Sequence, residues 1–495
     1  MTSTQRRESV RPNLAQDKFF AETMLNSMSG QLRRTLTSGA IGASAEIEKM
    51  VPVVPHPILP ANASLADFLK THGHANGNGL FYMGHASIMV VLSGKKILFD
   101  PIVLSKPYGD AWAFYPPQVL DPALFEVDAV VISHIHQDHY DTEYLKCLPV
   151  DVKIIIVGGR PSFENDLKSH GLNNIQIIPP EVVTEIFNGV SIFGVLHETN
   201  CIDASTLIFN DNFCIYHGND NYLQADSMRK FSRLGRVIDV ACIPYAYIHW
   251  YPFLMDYGPG QKDIKLAEEA RLVNLYMDDC LNMSGILNAK LVIPFGANLL
   301  LDDGNAYSDM NIAVKTPVEF AEYATIKAPE LEKIVRPMLA GDFCVPTDGG
   351  ELELTIKGAS GGKAYRAAAD RFLKSRAQIK EEIVWPEIDK SAFMQALNEK
   401  ICHFDVNVDN VIRIETNFGS EVLKVEVDCR KLQACWVDVF TANIDFHQFT
   451  LDPVSSGMWL SGRRFEEVIG TRRFRVRREP NVYSKDVLRL LNTLL

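Results

Sequence analysis

The segment Ser133–Asp141 constrains this chain more than any other part of its sequence. It reads Ser-His-Ile-His-Gln-Asp-His-Tyr-Asp and follows directly on the apolar run DAVVI. Residues i and i+2 of an extended segment point to the same side, so His134 and His136 can offer two imidazoles to one metal ion. Asp138 and His139 then turn to the other side of the same pocket, where a second ion could sit. Imidazole together with carboxylate suits zinc, iron or manganese.

Apolar runs before and after this segment are short and are punctuated by Gly, Asn, Asp and Pro. The run SIMVVL, the pair Ser93-Gly94 and the run KKILFDP together predict a hairpin with a tight turn. Later runs, among them VKIIIVGG, NFCIYHG and AKLVIPFG, are separated by helical segments such as DIKLAEEARLVNLYMDDCL. Strands that come first as hairpins and later alternate with helices indicate an α/β fold in which two packed sheets carry helices on the outside.

Three regions of the chain differ in their pattern of apolar, polar and proline residues, and 495 residues are too many for one small core. Residues 1–75 are expected to be a helical N-terminal extension followed by the linker VPVVPHPILP, because proline cannot continue a helix. Residues 76–335 hold the histidine segment and are expected to be the catalytic domain. Residues 336–495, with the alternating strand ELELTIKG and the charged helix KAYRAAADRFLKSRAQIKEEI, are expected to form a C-terminal α+β domain.

The order of motifs from about residue 80 to 300 resembles the metallo-β-lactamase superfamily, whose signature is His-x-His-x-Asp-His. Leu98–Pro101 is similar to that family's early strand, which ends in an aspartate that supports the metal loop. Gly84–Ser87 resembles the Gly-His-Ala opening strand of the branch that contains lactonases and N-acyl phosphatidylethanolamine phospholipase D. The resemblance implies an αββα metallo-β-lactamase sandwich.

The same resemblance implies ligands for two metal ions. His197, after the strand SIFGV, falls where the superfamily places the third histidine of the first metal, and Asp220 falls where it places the bridging aspartate. The implied ligands are His134, His136, His197 and Asp220 for the first ion, and Asp138, His139 and the shared Asp220 for the second.

The late strand departs from the superfamily's pattern. The family usually supplies a last histidine to the second metal there, but AKLVIPFGANLLLDDGNAY contains no histidine. His249, Asn298, Asp302 and Asp303 are the alternatives that the sequence leaves open for this ligand. Whether the site holds one ion or two also stays open.

Several motifs resemble a narrower branch, that of CMP-N-acetylneuraminate hydroxylase. In chain order they are Tyr216–Asp220, Trp250–Pro252, Ile293–Ala297, Gly304–Tyr307, Lys315–Pro317, Ala340–Asp342 and Arg478–Tyr483. That branch begins with a Rieske iron–sulfur domain, which needs two cysteines and two histidines. No cysteine precedes Cys147. We therefore do not expect this cluster in the N-terminal extension, and an oxygenase would take its electrons from a separate reductase.

Two enzyme classes fit these residues. The resemblance to the hydroxylase branch favours a non-haem monooxygenase that hydroxylates a small organic molecule, with two iron ions as its cofactor. The alternative is a hydrolase of an ester, lactone or phosphodiester, in which zinc or manganese lowers the pKa of a metal-bound water. In that enzyme Asp138 or Asp220 would orient the water, and the second ion or His85 would stabilise the oxyanion. A binding protein without catalysis is not favoured, because the histidines implied for the first metal are all present.

Charge limits the partners. A net charge of −12 argues against a general nucleic-acid binder, which needs a basic surface for phosphates. The arginines between Arg463 and Arg478 are a local exception, and guanidinium groups suit phosphate or carboxylate. On one interpretation they hold an anionic handle of a small-molecule substrate; on the other they are a solvated strand face. The segment Tyr245–Trp250 is a candidate lining of the substrate pocket, and an oligomer is compatible with the sequence.

Cysteine usage and hydropathy predict the compartment. The chain has nine cysteines, an odd number without paired spacing, which indicates reduced thiols and a cytoplasmic protein. No apolar run is long enough to cross a bilayer. No apolar stretch follows the arginines near the N-terminus, so we expect neither a membrane span nor a secretory signal.

Overall fold

The computed structural model of the chain describes most of the sequence from residue 64 onward. The described residues are 64–117, 121–159, 161–198, 203–258, 260–301, 310–311, 314–356, 361–377, 387–404, 409–418, 421–482, 484–491 and 494. The predicted helical extension before residue 64 lies outside them, as do Asp302, Asp303 and the motif at 304–307.

Eight strands form the sheet that carries the histidine segment, here called the first sheet. They are β1 (Asn78–Gly84), β2 (Ser87–Leu92), β3 (Lys95–Phe99), β5 (Ala129–Ile132), β6 (Lys153–Val157), β7 (Ile175–Ile178), β15 (Phe343–Pro346) and β16 (Leu352–Thr355). Their spatial order is β16-β15-β1-β2-β3-β5-β6-β7. Leu92 pairs with Lys95, which confirms the predicted hairpin over Ser93-Gly94. Strands β3, β5 and β6 run parallel, so the histidine segment leaves the sheet at the carboxyl end of β5, between two parallel neighbours.

Six strands form the second sheet, which faces the first. They are β8 (Thr184–Phe187), β9 (Val190–Leu196), β10 (Ala204–Phe209), β11 (Cys214–His217), β12 (Val240–Pro244) and β13 (Leu291–Phe295), in the order β13-β12-β11-β10-β9-β8. Buried side chains of both sheets, such as Val90 and Phe99 from the first and Ile208 and Ile215 from the second, share one apolar core. Burial of each such side chain contributes about 1.5–3 kcal/mol, so this interior holds the two sheets together.

Helices cover the outer faces of both sheets. Those that precede residue 330 are α1 (Leu65–His72), the single turn α2 (Pro107–Asp110), α3 (Thr142–Lys146), α4 (Pro161–Ser169), α5 (Ala225–Ser232), α6 (Lys262–Leu287) and α7 (Pro317–Lys327). Tyr144 of α3 and Phe163 of α4 pack on the first sheet, while Phe231 of α5 and Leu272 of α6 pack on the second. The arrangement is helix, sheet, sheet, helix, which confirms the predicted αββα sandwich.

A third sheet lies in the last part of the chain. Its strands are β17 (Val411–Phe418), β18 (Glu421–Asp428), β19 (Gln433–Trp436), β20 (Phe446–Leu451) and β21 (Phe474–Glu479), in the order β19-β18-β17-β20-β21. Its neighbours in the chain are α8 (Gly362–Ala377), α9 (Lys390–Ile401), α10 (Pro453–Leu460), α11 (Phe465–Gly470) and α12 (Lys485–Leu491). The backbone N–H of Val476 in β21 donates to Leu254 O at 2.8 Å, which ties this sheet to the loop after β12.

A two-stranded sheet and two 3-10 turns complete the described fold. The strands β4 (Trp112–Phe114) and β14 (Leu299–Leu301) pair with each other in a separate two-stranded sheet. Single 3-10 turns lie at Pro122–Phe125 and Pro329–Leu331.

The hairpin β15–β16 differs from its expected place. We assigned its residues to the C-terminal domain, but Phe343 pairs with Phe81, and β15 adds to the edge of the first sheet. Cys344 is fully buried in the core between the two sheets. Burial of this side chain favours the pairing of the hairpin with the first sheet. Strand alternation in ELELT reveals a strand but not the sheet it joins. The domain limits at residues 75 and 335 otherwise stay a prediction.

Within the described residues, no helix combines the length and the apolar composition needed to span a membrane.

Candidate metal centre

Both ends of the histidine segment are tied to the first sheet. At its start, the backbone N–H and the hydroxyl of Ser133 donate to the two carboxylate oxygens of Asp100, at 2.8 and 2.6 Å. At its end, the buried Asp141 accepts the backbone N–H of Tyr144 at 2.9 Å and so caps α3. The second oxygen of Asp141 accepts three successive N–H groups from residues 103–105, at 2.7 to 2.9 Å. The backbone between these anchors is thus fixed before any metal binds.

Cluster 1 consists of His134, His136 and Asp220. One ligand atom from each lies within 4.8 Å of those of the other two. His134 Nε2 is 2.7 Å from His136 Nδ1 and 3.7 Å from Asp220 Oδ1. Asp220 reaches the cluster because it follows β11 at the edge where the histidine segment emerges. The structure therefore brings together three of the four ligands implied for the first metal.

Cluster 2 consists of His85, Asp138 and His139, whose ligand atoms also lie within 4.8 Å of one another. Asp138 Oδ2 is 3.1 Å from His85 Nε2 and 3.4 Å from His139 Nε2. All three residues are buried. The rings of His134 and His139 have centroids 4.3 Å apart, so the two clusters are neighbours in one site.

Neighbouring polar groups orient the ligands of both clusters. Asp100 Oδ2 is 2.9 Å from His139 Nδ1, which leaves Nε2 of that ring for the cluster. His134 Nδ1 is 2.9 Å from Ser133 Oγ, which leaves its Nε2 beside Asp220. The hydroxyl of Tyr108 donates to Asp138 Oδ1 at 3.0 Å, so the other oxygen of that carboxylate faces the two histidines.

Burial and charge set the protonation of these ligands. Burial acts to raise the pKa of the Asp138 carboxyl, but the adjacent His139 and His85 hold it well below its usual range. Burial acts to lower the pKa of His139, but Asp138 and Asp100 raise it well above the usual value. Burial lowers the pKa of His134 to about 4 although Asp203 and Asp220 oppose it. Asp138 is thus ionised and His134 neutral at pH 7, the forms in which these groups bind metal, whereas His139 must release a proton when it binds a metal.

The donors fit divalent transition-metal ions. His139 Nε2 is buried and has no hydrogen-bond partner among the described residues, and burial of such a group is costly unless something satisfies it. It faces the Asp138 carboxylate and the His85 imidazole, so one ion among the three would satisfy it. Each cluster offers two imidazoles and one carboxylate, a donor set that suits iron, manganese or zinc.

Three other candidate ligands are outside the two clusters as these are defined. His197 is buried at the end of β9, and its backbone N–H donates to Asp203 O at 2.8 Å, but it is in neither cluster. Its role as a ligand stays a prediction. Asn298 accepts the hydroxyl of Tyr82 at 3.0 Å, and His249 Nδ1 accepts the backbone N–H of residue 251 at 3.2 Å. His249 belongs to neither cluster, and the role of Asn298 as a ligand stays a prediction.

His85 belongs to cluster 2, although it was not among the candidates that the sequence left open for a last ligand. We expected it to stabilise an oxyanion, and the structure places it beside Asp138 and His139 as a third donor of cluster 2. It lies in the turn between β1 and β2, where it adopts a left-handed φ of 51°. The motif Gly84–Ser87 was the available signal, but only the pairing of β1, β2, β3 and β5 brings this turn to the end of β5.

Sequence reasoning missed Tyr108 and its contact with α11. Besides its bond to Asp138, Tyr108 donates its backbone N–H to Gln137 Oε1 at 2.7 Å. A Cβ on Gly470 would lie only 2.1 Å from two ring atoms of Tyr108. The indole N–H of Trp112 donates to Gly470 O at 2.8 Å. The last part of the chain therefore packs directly on a residue that holds a candidate metal ligand.

Comparison with known proteins agrees with the αββα sandwich. Residues 79–256 match the family model described as beta-lactamase superfamily domain. The chain is similar to the cytidine monophosphate-N-acetylneuraminic acid hydroxylase of Mus musculus, with 32% identity over 105 residues, 20% of this chain and 18% of the mouse protein. It is also similar to the UPF0173 metal-dependent hydrolase of Opitutus terrae, with 26% identity over 176 residues, 33% of this chain and 71% of that protein.

A solved structure also matches. The diiron beta-hydroxylase of Streptomyces venezuelae aligns with a TM-score of 0.38 and 12% identity, over 57% of this chain and 54% of that one. Coverage of the curated relatives is partial: the chain spans 18% of the mouse hydroxylase and 43% of a Bacillus subtilis relative.

Proposed function

We propose that the protein is a metal-dependent enzyme, and specifically a non-haem diiron monooxygenase that hydroxylates a small organic molecule, because residues 79–256 match the model of the beta-lactamase superfamily domain. One oxygen atom of O2 would enter a C–H bond of the substrate, and the other would leave as water. Two electrons and two protons balance this reaction, and a separate electron-donating reductase would supply the electrons.

One observation carries this proposal. Each cluster contributes two histidines and one aspartate: His134, His136 and Asp220 in cluster 1, and His85, His139 and Asp138 in cluster 2. Two histidines and one carboxylate with open positions form the donor set typical of non-haem Fe(II) oxygenases. When bound, iron in these clusters would supply the activation of O2.

The chain's own residues keep this site ordered. The Asp100 carboxylate fixes the ring of His139, and the Tyr108 hydroxyl fixes the Asp138 carboxylate. These contacts hold the donor atoms in place, which limits the reorganisation that metal binding requires.

A hydrolase is the second candidate. The Opitutus terrae relative that is named a metal-dependent hydrolase is matched over 71% of its own length, more than the hydroxylase relative. Three-donor sites that leave a position for water are also typical of hydrolytic zinc centres. In a hydrolase the ionised Asp138 or Asp220 would orient the attacking water.

Metal analysis separates the two candidates. The protein is expressed with iron, zinc and manganese all available, and the purified chain is analysed for each element and for its visible spectrum. The oxygenase predicts about two iron ions per chain, as in two-metal sites, with near-ultraviolet absorption that bleaches on reduction. It also predicts O2 uptake that depends on a reductant. Zinc or manganese with a featureless spectrum, and turnover of ester or phosphodiester substrates, would instead establish the hydrolase.

A further inference from the structure

The arginine-rich segment between residues 463 and 478 contains several guanidinium groups that are already neutralised. Arg463 and Arg464 pair with Glu467, at 3.4 and 3.1 Å, and Arg473 pairs with Asp452. Glu467 also accepts the side-chain amide of Gln137 at 3.0 Å. Arg464 also lies 3.9 Å from Glu466, so each of these three arginines has a carboxylate partner within the fold.

Arg472 is different. Its Nε donates to Ile248 O at 3.1 Å, and its Nη1 donates to Ile469 O at 2.8 Å. Both acceptors are uncharged carbonyls. Among the residues that the structure describes, Arg472 has no carboxylate within the 4.0 Å of a salt bridge. A guanidinium has five N–H donors, so about three of them have no acceptor in this part of the chain.

Arg472 lies two residues after Gly470, which packs on the Tyr108 ring. Its side chain is half-buried, and burial lowers the pKa of Arg472 while Tyr108, Asp138 and Tyr247 raise it. Tyr108 is the residue that donates its hydroxyl to Asp138 at 3.0 Å. Arg472 nevertheless stays protonated at neutral pH, as arginine does in proteins. Among the described residues Arg472 thus forms no salt bridge, although its charge interacts with that of Asp138.

The turn before β21 is built to hold Arg472 in place. Thr471 is fully buried, and its hydroxyl donates to Val468 O at 2.6 Å and accepts the N–H of Arg473 at 3.0 Å. Ser455 Oγ lies 2.9 Å from the same hydroxyl. Arg472 itself has a φ of 59°, a left-handed conformation that costs a residue with a Cβ about 1–2 kcal/mol. Strained residues that the surroundings hold so firmly are concentrated at functional sites.

We propose that Arg472 is the residue that binds an anionic group, a carboxylate or a phosphate, of the small molecule on which the metal clusters act. This inference rests on the proposed function as a metal-dependent enzyme and adds its substrate class. The planar guanidinium can donate two parallel hydrogen bonds to either anion. Its place two residues after Gly470, which packs on Tyr108, would orient the substrate so that the rest of the molecule faces the clusters. Arg472 would act as a specificity-determining residue and would not take part in the chemical step.

Anion binding to the metal-loaded protein tests this proposal. Inorganic phosphate and propionate are titrated separately by calorimetry at constant ionic strength, with wild type, R472Q, R472K and R477Q. Arg477 is exposed on β21 and stacks on Phe446 at 5.7 Å, so R477Q is a matched control. We expect saturable binding of one of the two anions to wild type and R477Q, and at least tenfold weaker binding to R472Q. A comparison of the phosphate and propionate titrations identifies which group the substrate carries.

The metal itself can bind anions, and the design accounts for this. If R472Q with full metal content binds both anions as wild type does, Arg472 only ties two carbonyls together and the proposal is wrong. If R472Q loses metal, R472K is the deciding variant. Severalfold weaker anion binding to R472K supports the proposal, because lysine keeps the charge but lacks the paired donors of a guanidinium. Unchanged anion binding to R472K overturns it. Absence of iron from wild type would contradict the oxygenase, while dependence of anion binding on Arg472 in the zinc or manganese form would leave this inference standing.

Discussion

At the scale of single residues, the histidines of the two clusters reach the site by different routes. His134 and His136 come from one extended segment, whereas His85 comes from the turn between β1 and β2. We expect H85A to lose the ion of cluster 2 and to retain about one metal ion per chain, since two donors bind a divalent ion too weakly. We expect H136A to lose the ion of cluster 1 and the activity. Metal content after gel filtration checks both variants.

H403A is the control for these two variants, because His403 is exposed and belongs to neither cluster. It should keep the wild-type metal content. Wild-type metal content in H85A would show that His85 is not a ligand. The last ligand of the second metal would then have to be sought among His249, Asn298, Asp302 and Asp303.

Tyr108 gives a second prediction at this scale. Y108F removes the hydroxyl that donates to Asp138 but keeps the ring, so the carboxylate loses one of the groups that orient it. We expect the affinity of cluster 2 for metal to fall about tenfold or more, because partners of metal ligands typically contribute 10–100-fold. Competition with a chelator measures this. Y144F is the matched control: Tyr144 is equally buried, but its hydroxyl donates to Leu124 O, so only stability should change.

Much of the candidate site could be predicted from local sequence, and the rest depended on tertiary contacts. His134, His136, Asp138 and His139 lie within one segment after an apolar strand, so their spacing alone indicates a metal site. His85 could be recognised as part of the motif Gly84–Ser87, but its proximity to Asp138 and His139 could not be predicted. Tyr108 precedes the histidine segment by many residues, and no spacing rule links it to Asp138.

At the scale of elements, α11 touches the site through its last residue. Gly470 lies against Tyr108, and a Cβ there would come within 2.1 Å of two ring carbons. G470A should therefore displace the Tyr108 ring and cost about 1–3 kcal/mol of unfolding free energy, as expected for overpacking. Because the Tyr108 hydroxyl would move away from Asp138, the affinity of cluster 2 for metal should fall as well. Urea unfolding and metal content measure the two effects.

G285A is the matched control for this substitution. Gly285 lies on an exposed part of α6 and has nothing within 4 Å of an added Cβ, so alanine should stabilise the protein by up to about 1 kcal/mol. If G470A were as stable as G285A and kept its metal, α11 would not support the site.

The elements also show what strand patterns can predict. The hairpin of β2 and β3 was evident because two short apolar runs flank Ser93-Gly94, and both residues adopt the positive φ that such a turn requires. The partner of β15 was not evident, because hydrogen bonding between Phe343 and Phe81 joins positions far apart in the chain. Alternation specifies which side chains are buried, but the sheet that a strand joins depends on long-range packing.

At the scale of the whole molecule, the last part of the chain and the two-sheet sandwich are coupled around the site. Three contacts join them: Glu467 accepts from Gln137, Gly470 packs on Tyr108, and Arg472 donates to Ile248 O. One short region of the chain thus contacts three separate parts of the sandwich. The sequence suggested a separate α+β domain, and its five-stranded sheet is present. What composition could not reveal is that the region between α10 and β21, which includes α11, contacts the histidine segment through Glu467 and Gln137.

The third sheet should also give the molecule a measurable sensitivity to acid. His447 is buried on β20, 3.1 Å from Asn410 Oδ1, and burial, together with the charge of Arg478, lowers the pKa of His447 to about 3. An unfolded histidine titrates near about 6.5. Between these values the unfolded chain binds a proton that the folded chain does not, so stability is complete above pH 6.5 and falls as the pH drops. Linkage gives a loss of about 2 kcal/mol between pH 7 and pH 5 from this group.

H447N removes that titration while keeping a side-chain N–H for Asn410. It should be less stable than wild type at pH 7 because of the cavity it leaves, and the difference should shrink as the pH falls, by about 2 kcal/mol at pH 5. Urea unfolding at fixed ionic strength, followed by tryptophan fluorescence, measures the difference. H403N, at an exposed histidine, should show a constant difference from wild type. Parallel pH profiles for H447N and wild type would mean that His447 titrates alike in the folded and unfolded chains, and that the acid sensitivity of the third sheet has another source.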